Sequence, residues 1–227
     1  MTGAFVPPVE GSELALSTLS VDAGRRLACG DDKVDSLLYV VSGAGALELH
    51  GSHSLAPDTA ALVLAGEEGV LEAGDSRLEV VRATVGASAD LHAPLGPRET
   101  VVRRDEAGSA AATGARSFRI LFGPHNGSTR ATLFLGFIPP GKAPWHYHLY
   151  DEIVWVPEGP GKLHLGEGLD ELGAGSAFRL RPRQVHNVEN ADPASDMTVL
   201  GIFTPAGSPA AAYLSPEVGA SYRFSPR

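Results

Sequence analysis

Apolar side chains recur every second residue in short runs along the whole chain, and no segment sustains a three-to-four-residue apolar period long enough for a helix. Alternation of this kind places the apolar groups on one face of an extended strand, so the pattern predicts an all-β protein. In the first half the expected strands span residues 14–21, 25–29, 36–41, 44–50, 60–64 and 78–85. In the second they span 117–122, 129–138, 152–156, 162–165, 177–180, 187–190 and 197–203. Clusters such as Gly30-Asp31-Asp32, Ser42-Gly43-Ala44-Gly45 and Ala73-Gly74-Asp75 separate them and are turn chemistry.

The two halves follow one plan. Aligned without gaps, residues 35–47 (DSLLYVVSGAGAL) and 151–163 (DEIVWVPEGPGKL) share Asp, two apolar residues, an aromatic, Val, a Gly-x-Gly turn and Leu. Self-similarity of this length implies two copies of one architecture, with domains over residues 1–97 and 98–227. Small-residue stretches within 91–115 mark the junction, with an edge strand expected at 100–104 between them. The polar, turn-rich tail after Pro216 reads as surface wrapping.

The second copy carries the chemistry. His146 and His148 are two apart, so on an extended segment their imidazoles leave the same face, and Glu152 keeps that even parity if the intervening turn preserves it. The apolar run Ile153-Val154-Trp155-Val156 puts the carboxylate at the mouth of a buried strand. His186 supplies a fourth candidate ligand. In full, the order is Pro140-Gly141, His-x-His, three residues, Glu152, six residues, Gly159, and later Gly175, Pro182, His186, three residues and Asn190. This resembles the paired signature motifs of the cupin superfamily over residues 116–216, although Arg181 and Arg183 stand where the second motif usually has proline and glycine.

The resemblance implies two tandem antiparallel double-stranded β-helix (jelly-roll) barrels, with one divalent metal ion held in the second by His146, His148, Glu152 and His186. In the first copy Ser36 stands at the place of Glu152, and Gly30 and Asp32 at those of His146 and His148, which implies a degenerate barrel without metal ligands. His50, His53 and His92 fall near expected turns and edges and form no converging set.

Three imidazoles and a carboxylate suit Fe, Mn, Ni, Cu or Zn better than Ca or Mg. Around them Phe134, Trp145, Val154 and Phe178 are candidate walls of the site, while Trp155 is out of register with Glu152 and faces away. Arg179 and Arg181 flank Leu180; turned inward, one would clamp a substrate carboxylate, and turned outward they are a solvated strand edge. Asn190 shares parity with His186 and is placed to hydrogen-bond behind the ligands, whereas His164 alternates with Leu163 and Leu165. The expected function is that of a dioxygenase-type oxidoreductase acting on a small phenolic, enolic or keto-acid substrate. A non-redox isomerase or decarboxylase, and a ligand-binding bicupin without catalysis, are the alternatives.

Composition narrows the partners. Residues 1–97 carry five Lys and Arg against fourteen Asp and Glu, and residues 98–227 thirteen against thirteen, so the net charge of −9 belongs to the first half. An acidic chain without a basic cluster repels phosphate backbones, which excludes nucleic acid, and no apolar run approaches a membrane span. A small-molecule ligand is the expected partner, with a homodimer open to it, in the cytoplasm. The single Cys29 rules out an internal disulfide and reads as a small buried residue.

Overall fold

The computed structural model describes residues 5–89, 91–112 and 115–213, and among them every regular element is a strand. In the first half a six-stranded sheet runs in the order Phe5–Val6, Ala15–Val21, Leu78–Gly86, Val34–Ser42, Thr59–Val63 and Val101–Arg103. A four-stranded sheet, Arg26–Ala28, Val70–Ala73, Gly45–Glu48 and Ser52–Leu55, covers one of its faces. The second half repeats this with Ser109–Ala111, Ser117–Phe122, Thr132–Ile138, Met197–Thr204, Asp151–Trp155 and Ala177–Leu180, covered by Gly141–Lys142, His186–Asn190, Gly161–Leu165 and Gly168–Leu172. Neighbouring strands pair antiparallel, and the expectation of an all-β pair of jelly-roll barrels holds.

The repeat extends to register. Ser36 pairs with Val63 and Thr84 as Glu152 pairs with Leu180 and Phe203, and Tyr39 lies opposite Ala60 as Trp155 lies opposite Ala177. By the same register Gly69 stands at the place of His186. Backbone packing closes the first barrel at these positions: a Cβ on Gly30 would lie 2.0 Å from the Glu67 carbonyl oxygen, and one on Gly69 would lie 2.9 Å from a Val63 methyl. A side chain is therefore excluded at the place of His146 by backbone, and at the place of His186 it would have to displace the Val63 side chain.

The apolar core is layered accordingly. Leu38, Val40, Leu47, Leu71 and Cys29 fill the first barrel, where burial pushes the Cys29 thiol up. Val154, Val156, Leu163, Leu180, Val188 and Val199 fill the second. Between the barrels the outer faces of the two large sheets pack on each other through Leu37, Tyr39, Leu62, Ala83, Phe122, Leu133, Ile153, Trp155 and Ile202. Central strands buried on both faces leave their apolar positions unalternated, which is why residues 37–40 and 153–156 read as continuous apolar runs.

Several short strands fall outside the expected set. Gly168–Leu172 is exposed at four of five positions, Ser109–Ala111 at all three and Gly141–Lys142 at both, so these elements rest on backbone pairing at sheet edges and carry no apolar alternation. Within the small-residue stretch read as the junction, Ser109–Ala111 pairs with Ser117–Phe122. Val101–Arg103 is the expected edge strand and joins the sheet of the first half. The tail after Pro216 lies outside the described residues.

Candidate metal centre

His146 and His186 face each other across two mutual backbone hydrogen bonds of 3.1 and 2.9 Å, although the segment carrying His146 and His148 belongs to no named strand. That pairing sets the two imidazoles side by side, with ring centroids 4.3 Å apart, and His148 lies 4.8 Å from His186. One nitrogen from each of His146, His148 and His186 falls within 4.8 Å of the others, and all three residues are buried. Among the described residues this is the one group of three or more such side chains so placed. It could hold a divalent ion.

Hydrogen bonds behind the rings decide which nitrogen faces inward. The Nδ1 of His146 lies 2.7 Å from the Pro144 carbonyl and that of His186 2.9 Å from the Gln184 carbonyl. A carbonyl only accepts, so each Nδ1 carries the proton and each Nε2 presents a lone pair. Glu152, 3% exposed, enters on the strand Asp151–Trp155 and brings Oε2 within 3.0 Å of His148 Nδ1. That contact is not a formed hydrogen bond, because the same buried oxygen has no hydrogen-bond partner. An orphaned carboxylate oxygen beside three inward nitrogens is the donor set a borderline divalent metal takes.

Burial holds the His146 and His186 imidazoles neutral. His146 is pushed down to about 2, first by burial and then by His186, Arg116 and His148, and His186 is pushed down to about 4, first by burial and then by His148. Both folded values lie below the ordinary 6.5, so the unfolded chain binds protons that the folded chain refuses. Their contribution to stability is full above about pH 6.5 and is lost as pH falls from there through about 4 and on towards 2. The melting temperature of metal-free protein is therefore expected to drop as the pH is lowered from neutral, with a shallower slope in His146→Ala and His186→Ala. Identical slopes in wild type and both variants would refute this assignment of the neutral state.

The cluster opens into a cavity of about 80 Å³ inside the second barrel. Phe134 and Val154 lie on its wall, as do Leu180, Val188, Val199 and Phe118. Other positions singled out in the sequence lie elsewhere. Trp145 is 44% exposed, edge-on to His164, and Phe178 packs into the barrel core without lining the cavity. Arg179 does not turn to the cavity: it is ion-paired with Asp151 and donates to the Pro7 and Leu14 carbonyls, because its partner across the sheet is Ile153, on the inter-barrel face. Arg181 is exposed. Asn190 is buried and donates to the Ile138 and Ser195 carbonyls, holding the ends of two strands. Trp155 faces away from Glu152, into the inter-barrel core.

Among the cavity residues that escaped the sequence reading, two touch the histidines. Arg116 brings Nη1 to 3.3 Å from His146 Nε2, yet it sits in a small-residue stretch with no motif around it. Tyr150 stacks on His148, with centroids 4.6 Å apart, and on Phe203. Its even parity with His146, His148 and Glu152 was the available signal.

Residues 134–203 match the cupin domain family. No curated protein matches the chain. Among solved structures, oxalate decarboxylase from Bacillus subtilis, a protein with Mn(II) centres, superposes with a TM-score of 0.71 at 13% identity, over 88% of this chain and 71% of that one. A putative glyoxylate-induced protein from Pseudomonas aeruginosa gives a TM-score of 0.72 at 16% identity, over 88% of this chain and 77% of that one. AerE from Microcystis aeruginosa gives 0.69 at 13% identity, over 84% and 87%. At such identities the likeness is one of fold, and it spans both barrels. The domain match falls on the strands that surround the histidine cluster, so the second barrel carries a cupin domain, and the chain as a whole shares the fold of these solved structures.

Proposed function

We propose that His146, His148, Glu152 and His186 together bind one divalent metal ion, and that the protein is an oxidoreductase of dioxygenase type acting on a small enolic, phenolic or keto-acid substrate with an apolar body. The observation that carries this reading is the chemistry of the cavity wall. Apart from the four proposed ligands, the polar side chains lining it are Arg116, Ser117 and Tyr150, and the described lining contains no further carboxylate or imidazole. A reaction that needs a separate protein base has no candidate there. When bound, the metal would supply Lewis-acid polarisation of an enol or keto oxygen and, as iron or copper, redox capacity towards dioxygen.

The remaining roles fall to the chain itself. Arg116 would receive the carboxylate or enolate oxygen of the substrate, since a guanidinium matches a planar pair of oxygens. Burial, followed by the nearby Glu152 carboxylate, pushes the Tyr150 phenol well above its ordinary range, so it stays protonated and can donate a hydrogen bond. Phe118, Phe134, Leu180 and Val199 would enclose the apolar part and keep water from it.

Decarboxylation is the second reading, favoured by the guanidinium beside the cluster and by the fold shared with oxalate decarboxylase. The test is reconstitution of metal-free protein with Fe(II), Mn(II), Cu(II), Ni(II) and Zn(II) in turn, followed by oxygen uptake and carbon dioxide release with phenylpyruvate, acetylacetone, catechol and oxalate. Oxygen consumption coupled to substrate loss with iron or copper is the expected result. Carbon dioxide release without oxygen uptake would replace the dioxygenase reading by the second one. Saturable substrate binding with no turnover under any metal would replace both by ligand binding without catalysis.

A further inference from the structure

The contact between Arg116 and His146 sets two cations against each other at one atom. Because the Nδ1 proton of His146 goes to the Pro144 carbonyl, Nε2 carries the only lone pair the ring can offer, and Arg116 Nη1 donates to it at 3.3 Å. That lone pair is also the one a metal ion would take. It serves a guanidinium or a metal, never both. Charge acts in the same direction. Among the described residues lining the cavity Glu152 is the one carboxylate and Arg116 the one guanidinium, so a divalent ion on the cluster would stand beside a fixed positive charge, in surroundings that screen it far less than water does.

The guanidinium is able to move although its backbone is not. Arg116 sits where the strands Ser109–Ala111 and Ser117–Phe122 come together, with the Ala112 amide donating to its carbonyl at 2.9 Å, but its side chain is long, half-buried and part of the cavity wall. Turned from His146 towards the cavity, it exchanges a neutral nitrogen for an acceptor held there, and an anionic oxygen is the stronger partner. Tyr150 lines the same cavity and can donate to that oxygen as well. Resting on the reading of the cluster as a metal centre with Arg116 as its carboxylate receiver, we propose that Arg116 makes the metal and an anionic substrate bind as a pair. The guanidinium competes with the metal for His146 Nε2, and a carboxylate or enolate in the cavity draws it off. Each ligand then tightens the other by one common factor, as linkage requires. The metal is held less tightly alone than together with an organic anion.

Co(II) is the probe, because its visible absorption reports ligation directly. Full-length metal-free protein is titrated with Co(II) alone, with acetate or phenylacetate as the anion, and with phenylacetamide as a neutral counterpart. A saturating carboxylate is expected to tighten Co(II) at least about tenfold, and saturating Co(II) to tighten the carboxylate by the same factor, while phenylacetamide changes neither. Arg116→Met removes the donor and the charge at similar length. It should bind Co(II) at least about tenfold tighter than wild type with no anion present, and lose most of the effect of the carboxylate. A residue that only shaped the cavity or only held substrate would leave metal binding unchanged or weaken it. Melting temperature shows that the variant is folded, and the wild-type titrations decide the matter by themselves should it not fold. Equal or weaker Co(II) binding by folded Arg116→Met, or no effect of either carboxylate on Co(II) binding by the wild type, would overturn the proposal and leave the metal centre standing. Failure of the wild type to bind Co(II) under any of these conditions would remove the metal centre and the proposal with it.

Discussion

Alanine in place of His146, His148, Glu152 or His186 is expected to lower metal stoichiometry from one ion per chain to near zero after dialysis, and to abolish turnover with it. Each substitution deletes a metal–ligand bond and leaves a more open remainder. Loss of a hydrogen bond behind a ligand already costs 10–100-fold in metal affinity, so loss of the ligand itself should cost more than about 100-fold. Folding is expected to survive, because both barrels are closed by their own apolar layers and need no metal as a staple. The contrast lies with the other histidines, each of which the structure places elsewhere. His50 faces Glu67, His53 the Leu49 carbonyl, His92 the Ala93 carbonyl and His164 Glu189, while His125 is exposed. Alanine at any of these five should leave metal content unchanged. Full occupancy in His186→Ala, or a metal-free His164→Ala, would remove the basis of the proposed coordination sphere.

Much of this arrangement was legible because strand parity is a strong constraint. Residues 146, 148 and 152 share even parity in the sequence and line one cavity in the structure, and the gap-free repeat already paired Ser36 with Glu152 in the register that the sheets adopt. What parity cannot supply is the identity of each face when both are buried. Arg179 illustrates this: its direction follows from lying opposite Ile153 and not opposite Glu152, a difference of one residue in a pairing whose partners are distant in sequence. Arg116 was hidden for a related reason. It reaches His146 only because Ser117–Phe122 pairs with Thr132–Ile138, a contact made by the folded sheet and announced by no local pattern. The inter-barrel layer had a signal, the unbroken apolar runs at 37–40 and 153–156, but a doubly buried strand and a strongly apolar barrel strand read alike.

Breaking the ion pair between Asp35 and Arg130 is expected to cause the largest loss of stability available to a polar substitution between the barrels. Asp35 is 1% exposed, accepts from Arg130 Nη1 at 3.0 and 3.1 Å and from the Ala65 amide at 2.9 Å, and so joins a strand of the first barrel to the segment that leads into Thr132–Ile138 of the second. The repeat contains a counterpart: Asp151, at the same position of the second copy, accepts from Ser12 of the first half at 2.6 Å and pairs with Arg179. Each barrel thus fastens the other through an aspartate in the first two residues of a sheet strand. Arg130→Ala would leave a buried carboxylate with one amide for company, and an uncompensated buried charge costs about 3–5 kcal/mol. Asp35→Ala should cost less, about 2–3 kcal/mol, because the Arg130 side chain is 22% exposed and can draw on water. Replacing both partners, as Asp35→Asn with Arg130→Met, should recover most of the loss, since neutral groups of similar shape leave no charge to desolvate. Urea unfolding of the metal-free protein, followed by tryptophan emission and by circular dichroism, measures all three. A single transition is expected for the wild type, whose shared apolar layer couples the barrels, and Arg130→Ala within about 1 kcal/mol of it would show that the pair contributes no more than a surface salt bridge does.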